Sequence, residues 1–552
     1  MSKKNILLGM SVVATLTTAA LLPKVYAEPT TGGTEVPAAP GGEAPSGEAP
    51  GGQAPGGQMT GGDSSSASHS GVMTFTEDMA TDGQTYESTG SAENAILMTG
   101  GTVTLTNPTI NKTGSDDGDS ADFYGTNAAV FVSGGTLNIT GGTVTTNGSH
   151  ANGVFAYGEG IINISNANIK TTSNNSGAVM VTGGGTLTAT YVTATTDGNS
   201  SAPIRSDRGG GKMYIENGTY TSNGVGSPAI YSTADIEVKG ASLESTASEG
   251  VVIEGKNSVD LENVKLTANN TTLNGQSETY KTIFIYQSMS GDADEGVGSF
   301  TAKNSNITTK NGDTFFVTNT SAEINLENNT FTNESGDFLR VQAGKWGNSG
   351  SNGGTVVLNA TAQEIKGGIV LDNISALSMA LYQDSYYKGV INGSNTAQMI
   401  SMHLDTDSVI VLDGDSYITS LDNDDKENTN IYGNGHKLYV NGEEVKTNSA
   451  DAPTGRKNQT TSGAVTEEIK EDTKEVDDYS TLGFIIAAAG SFLVLVIGGI
   501  IIARCTAKCR GKSPEKSLEK GPAEEGAKRG IEADKVQVDV FNGGQEKGPD
   551  AQ

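Results

Sequence analysis

One spacing governs what this chain can fold into. From residue 134 the stretch "GGTLNITGGTVTTNG" sets short apolar–polar alternations between glycines, and looser copies recur for more than three hundred residues. Taking the first inward apolar residue of each copy as an anchor gives Val103, Leu137, Ile162, Leu187, Met213, Ile236, Val259, Phe300, Ile324 and Val356. Their intervals are 34, 25, 25, 26, 23, 23, 41, 24 and 32. The short intervals cluster tightly, and the long ones have room for a surface loop such as "TGSDDGDSADFYG" or "SMSGDADEGVG". A fixed period of this length marks a solenoid, in which each repeat needs its neighbours to close a core.

Each period divides again. After Ile162, "GIINIS" alternates apolar and polar, "NANIKTT" turns into a second strand, and "GAVMVTGGG" supplies a third before Leu187 restarts the cycle. Other third strands are "AAVFVSGG", "PAIYSTAD" and "GVVIEGKN". Three short strands per period predict an all-β fold, a right-handed parallel β-helix with rungs spaced by about 4.8 Å. Roughly 13 such rungs make a rod about 60 Å long, with caps expected near Thr74 to Asp82 and Ile431 to Val440. Asn107, Asn166, Asn217, Asn263, Asn304 and Asn328 all follow the first strand at nearly one offset, with Gly141 and Gly240 in the same place elsewhere. Asn and Gly tolerate left-handed backbone best, so this offset is read as a tight corner whose Asn side chains bond from rung to rung. With 74 Gly, one Trp and 6% aromatic residues, a conventional globular core is excluded.

The flanks place this rod. Lys3 and Lys4 precede an apolar stretch that ends in "VYA" at Ala27, the layout of a signal peptide over residues 1–27. Residues 28–72 repeat Ala-Pro and Gly-Gly and read as a disordered spacer. The β-helix is expected over 73–445 and a polar stalk over 446–481. From Leu482 to Ala503 no charge occurs in 22 residues, about 33 Å of helix against a hydrocarbon layer of ~30 Å. Arg504, Lys508, Arg510 and Lys512 follow, which puts residues 504–552 in the cytoplasm as a disordered tail of mixed charge and the bulk outside the cell. The expected product is a single-pass plasma-membrane protein. Both cysteines, Cys505 and Cys509, fall in the tail, so no disulfide braces the exported part. The net charge of -29 resides almost wholly in the ectodomain and excludes nucleic acid as a partner.

With these rungs and Asn corners, residues 73 to 445 resemble the right-handed parallel β-helix proteins, among them pectate lyase-like folds and the repeat passengers of bacterial adhesins. The Gly-Gly-Thr phrases and anchored layout look like surface proteins of Gram-positive anaerobes. The resemblance implies a polysaccharide as ligand. It does not bring a hydrolase site: Asp116-Asp117 and Asp424-Asp425 lie in loops, "NGHK" at His436 breaks the Gly-His-Gly pattern, and the other hydrolase motifs are missing.

A lyase needs a base beside carboxylates that hold calcium. The local candidate is "APIRSDRGGGK", with Arg205, Asp207, Arg208 and Lys212, and the alternative is a salt-bridge cluster on a Gly-rich turn. For Ca2+, the acidic loops offer Asp116, Asp117, Asp119 and Asp122, then Asp292, Asp294 and Glu295, then Asp413 and Asp415. None completes a known calcium loop, so solvated carboxylates are the competing reading. His69, His150, His403 and His436 show no zinc spacing. As sugar platforms, Trp346, Tyr382, Tyr386 and Tyr387 stand out, with edge filling as the alternative. The favoured expectation is a non-catalytic adhesin or polysaccharide-binding protein, without cofactor, whose partner is a polysaccharide, a surface glycan or another cell-surface component. A calcium-dependent polysaccharide lyase and a passive surface coat are its alternatives.

Overall fold

The computed structural model describes residues 67–273, 279–288 and 290–457. The signal peptide, nearly all of the spacer, the stalk from 458, the proposed span 482–503 and the tail lie outside the described residues, as does the whole of a second unit, Ala464–Gln552. Among the described residues no helix is long and apolar enough to cross a membrane.

The chain winds as a parallel β-solenoid of right-handed type, about 15 turns long. Sheet 1 has fourteen strands, from Met79–Asp82 to Ser420–Asn423. Sheet 2 has ten, from Thr85–Ser88 to Thr330–Asn333, and sheet 3 twelve, from Gly71–Phe75 to Ile369–Leu371. Each strand pairs with the strand one turn away, and every pair is parallel except the last, Leu438–Val440 against Glu443–Val445. That hairpin begins inside the region expected for a cap, Ile431 to Val440, and runs past it to Val445. At the other end the edge-to-face rings of Phe75 and Tyr86 close the first turn.

The register explains the period. Val103, Leu137, Ile162, Leu187, Met213, Ile236, Val259, Phe300 and Ile324 stack as one column, each paired with the next. Only the last anchor is displaced. Ile324 pairs with Leu358, whereas Val356 pairs with Ala322, two residues away on the same face. All these anchors are buried, because a narrow solenoid has no other place for Val, Ile and Leu.

The corner between sheets 1 and 2 turns on left-handed backbone. Asn107, Asn166, Asn217, Asn263, Asn304 and Asn328 have φ between 47° and 59°, and Gly141 and Gly240 fill the same place. The same geometry is forced on Tyr191, Ala362 and Gln383, which carry no turn signature. The corner amide of Asn166 donates to Thr190 O at 3.0 Å, and that of Asn217 to Lys239 O at 2.7 Å, so the stack holds the angle. Of the expected side-chain ladder, Asn328 Nδ2 donates to Asn304 Oδ1 at 2.8 Å.

Along sheet 2 the insertions enter beside sheet 3. Residues 113–129, with a helix at Asp119–Tyr124, and the segment between Ala268 and Lys281 connect sheets 2 and 3 in the chain. The segments between Tyr286 and Val297 and between Val341 and Gly354 connect sheets 3 and 1. Their described parts border a second, outward column on sheet 3 that runs Leu97, Phe131, Phe155, Met180, Arg205, Tyr231, Val252, Phe284 and Phe316. Its aromatic members form two apolar clusters separate from the main core.

The segment assigned to a stalk begins differently from expectation. Residues 446–457 form a strap against the rod, where Tyr386 Oη donates to Pro453 O at 3.0 Å and Arg456 Nε donates to Asp384 O at 3.0 Å. Ala452 packs beside buried Tyr386, Val409 and Val411.

The corner geometry yields an expected outcome. Asn217→Ala costs about 1 kcal/mol, the penalty of a β-carbon at left-handed φ, while Asn217→Gly is nearly neutral. Urea unfolding of the full-length protein followed by circular dichroism separates the two; equal losses would refute the corner argument.

Candidate functional site

Sheet 3 carries the chemistry. Arg205 sits on the strand Ile204–Ser206, in register between Met180 and Tyr231, and points outward into the space that the insertions cover. Its Nη2 donates to Asp207 Oδ2 at 3.1 Å, and its Nη1 lies 3.8 Å from Asp122 Oδ1. Arg208, on the following turn, donates from Nε to Asp292 Oδ1 at 2.5 Å and lays its guanidinium 3.8 Å above the centre of the Phe123 ring. Asp122 Oδ2 also meets His150 Nδ1 at 2.9 Å, and the Nε2 of that ring lies 2.9 Å from Asn175 Nδ2. Six ionisable side chains from four distant segments form one network.

Burial decides what this network can do. Arg205 and Asp207 are 9% and 4% exposed. A buried charge needs a partner, and removing one leaves a large penalty. Burial pushes the Asp207 carboxyl up to about 7 against the pull of Arg205, with Asp292 and Asp122 adding to the rise. His150 is raised above its ordinary value by the bond from Asp122, against burial and the Arg205 charge. Lys212, expected beside them, does not join. It lies exposed on sheet 1, between Thr186 and Asp235 in register. Arg205 and Asp207 therefore form a buried ionic pair, the salt-bridge alternative, with the partly exposed Arg208 tied to Asp292 at its edge.

The acidic loops are engaged by the protein itself. Asp116 Oδ1 accepts from the amides of Asp117 and Gly118, and Asp122 turns inward to His150. Asp119 opens the short helix, and its side chain lies outside the described ones. Asp292 binds Arg208, Asp294 binds Lys256 at 2.9 Å, Asp413 lies 3.5 Å from Lys388, and Asp415 accepts the Lys437 amide at 3.0 Å. Among the described residues, the three-residue set with close ligand atoms is His403, Asp422 and Asp424, where Asp422 is already paired with His403 and Lys426.

The aromatic candidates divide. Tyr386 and Tyr387 are 1% and 0% exposed and are not sugar platforms. The Oη of Tyr387 donates to Gly367 O at 3.0 Å, and burial carries the Tyr386 hydroxyl up to about 12. Trp346 is half-buried with its ring centre 6.0 Å from that of Tyr286. Tyr382 alone is open, 37% exposed, with its ring tilted near His403. Between the strap and the strands a cavity of about 710 Å³ is lined by Lys366, Lys388, Asp413 and Asn434. Its lysines are already paired with Glu364 and Asp413.

Sequence reasoning missed a second buried carboxylate. Glu254 is 1% exposed and accepts from Tyr231 Oη at 2.7 Å and Tyr286 Oη at 2.8 Å. The Lys281–Glu249 pair, 3.0 Å apart, is buried beside it in chain order. No local motif marks these groups, since their partners lie one or two turns away. The period could have found His150 and Asn175, which are 25 residues apart and therefore stack.

Sheet 2 is the opposite case. Its outward positions hold Thr143 and Thr145, Thr193 and Thr195, Thr219 and Thr221, and Thr330 and Thr332, with Asn168 and Asn306 in the same columns. Most are exposed and none is covered by an insertion. The charges in these columns are two of each sign, Lys170 and Lys265 against Glu87 and Glu244. Against known families, curated proteins and solved structures, no match to this chain is found.

Arg205→Met should lower stability by about 3–5 kcal/mol, because Asp207 and Asp122 are left buried without their cation. Lys212→Ala should stay within about 0.5 kcal/mol of the wild type. Parallel urea titrations check the pair, and equal behaviour would contradict the placement of Arg205 in a buried lock.

Proposed function

We propose that this protein is a non-catalytic cell-surface adhesin that holds neutral polysaccharide or a surface glycan along its solenoid. The observation that carries this reading is the bare face of sheet 2. It offers Thr hydroxyls and Asn amides in straight columns at the rung spacing of about 4.8 Å. A polymer with its own repeating hydroxyls meets many equivalent weak donors and acceptors there, and weak contacts on one rigid body add through effective concentration. Balanced charge on this face, on a chain of net charge -29, favours a neutral partner over an anionic one.

Export by residues 1–27, anchoring by a helix over 482–503 and a tail inside the cell complete the proposal, resting on the apolar run and the basic residues behind it. The calcium-dependent lyase alternative requires Arg205 to take a proton from a polymer. A guanidinium buried against Asp207 beneath the 113–129 insertion is poorly placed for that role.

Binding of the full-length protein, in detergent, to arrayed neutral and acidic polysaccharides tests the reading. Retention on at least one neutral glycan is expected, with Thr195→Lys/Thr221→Lys weakening it by about tenfold or more. Binding to none would favour the passive coat, and release of unsaturated, ultraviolet-absorbing products would favour the lyase.

A further inference from the structure

The ionic network joins two insertions that are far apart in sequence, and that joining has a direction in pH. The helix Asp119–Tyr124, bounded by Gly118 and Gly125, meets sheet 3 where Gly125 sits close against the Phe131 and Phe155 rings and where Tyr124 faces Tyr157. Its backbone is held at Phe123 O by Thr182 Oγ1 at 2.8 Å and at Gly125 O by Asn94 Nδ2 at 2.9 Å. Its charged attachment is Asp122, which reaches His150 and Arg205. Arg208 then stacks on Phe123 from this insertion and binds Asp292 from the insertion 287–296. Lifting the helix removes Asp122 from His150 and from the neighbourhood of Asp207, and strips Arg208 of its aromatic floor.

We propose that the helix Asp119–Tyr124 is a pH-governed flap, latched by Asp122 through His150 and Arg205, that closes over the apolar column of sheet 3 in mild acid and loosens as the pH rises past neutrality. The groups facing His150 are Asp122 and Asp116 from the flap, Asn175 from the next turn and Arg205 from the turn beyond. Those facing Asp207 are Arg205 and Arg208 beside it, Asp122 from the flap and Asp292 from the second insertion. Asn175 suits either state of the ring, because its amide can offer Nδ2 to the neutral imidazole or, turned over, Oδ1 to the protonated one.

Both titrations push the same way. The closed flap raises His150, so its contribution is whole below the ordinary imidazole value near 6.5 and is lost as pH rises through the raised one. Asp207 is held up at about 7 by burial, with Asp292 and Asp122 adding to the rise, so losing Asp122 from the flap lowers it. Closure therefore becomes costlier as pH rises toward about 7, because the open form gives up a proton that the closed form keeps. At low pH the network holds His150 and both arginines against Asp122 and Asp292. At high pH it holds three carboxylates against two arginines, and the flap carries one of the three.

Hydrogen exchange on the full-length protein reads this directly. After correction for the intrinsic rate, protection of the amides of residues 120–125 should fall about tenfold or more between pH 5.5 and 8.0, while Ile161–Ser165 in sheet 1 stays unchanged. In His150→Gln the low-pH gain should shrink, and in Asp207→Asn, which stays uncharged, protection at pH 8.0 should rise toward its value at 5.5. Protection that is flat with pH in the wild type, or unaltered in both variants, would overturn the latch. Should one variant lose protection in Ile161–Ser165 as well, it has unfolded, and the wild-type profile with the other variant decides.

Discussion

Stacking by simple translation is the constraint from which the rest follows. In a parallel solenoid each residue sits above its equivalent in the previous turn, so a position inherits its surroundings from a column rather than from its sequence neighbours. The inward columns must be apolar along the whole rod. The corner after sheet 1 is left-handed whether its residue is Asn166, Gly141 or Tyr191. Buried polar groups bond from turn to turn, as in the corner before sheet 3, where Ala151 N donates to Ser176 Oγ, Ser176 N to Ser201 Oγ and Ser201 N to Ser227 Oγ. Lys112, fully buried in such a column, closes it by donating to the carbonyls of Gly90 and Gly114.

The same constraint gives the three faces different characters. The short corner between sheets 1 and 2 leaves no room for extra chain, so along sheet 2 the insertions enter at the edges of sheet 3. There they cover an apolar column, and the charged groups beneath them must pair, which produces the Arg205–Asp207–Asp122 lock. Sheet 2 lies beside the short corner from sheet 1 and its outward positions stay exposed, with β-branched Thr favoured on an exposed pleated surface. A covered face with internal chemistry and an open face with repeated polar groups are thus consequences of one geometry.

Legibility followed periodicity. The anchors from Val103 to Ile324 could be placed in register from spacing alone, because an inward apolar residue has one column to occupy. Val356 slipped by two because alternation on a longer strand, Gly354–Thr361, offers several equivalent residues, and only pairing with Thr320–Glu327 chooses among them. As aromatic rings Tyr386 and Tyr387 are candidate sugar platforms, but adjacent strand residues face opposite sides and no local signal tells what covers each side. Both are buried, Tyr387 by the core and Tyr386 by a strap that arrives from 67 residues further on. Tyr191, Ala362 and Gln383 gave no turn signal, since the neighbouring turns impose their backbone angle.

By itself the sequence determined the repeat, the three strands of each turn, the inward columns and the Asn corners, because these depend on spacings within about one period and on local backbone preference. The tertiary structure alone decided which charges meet, which aromatic rings are covered, and that residues 446–457 return to the rod. Those outcomes depend on insertions folding back over faces several turns away. A loop carries no period, so its landing place is set by the column of side chains it covers and by the buried charges it must neutralise, and Arg205 found Asp122 only once both lay against sheet 3.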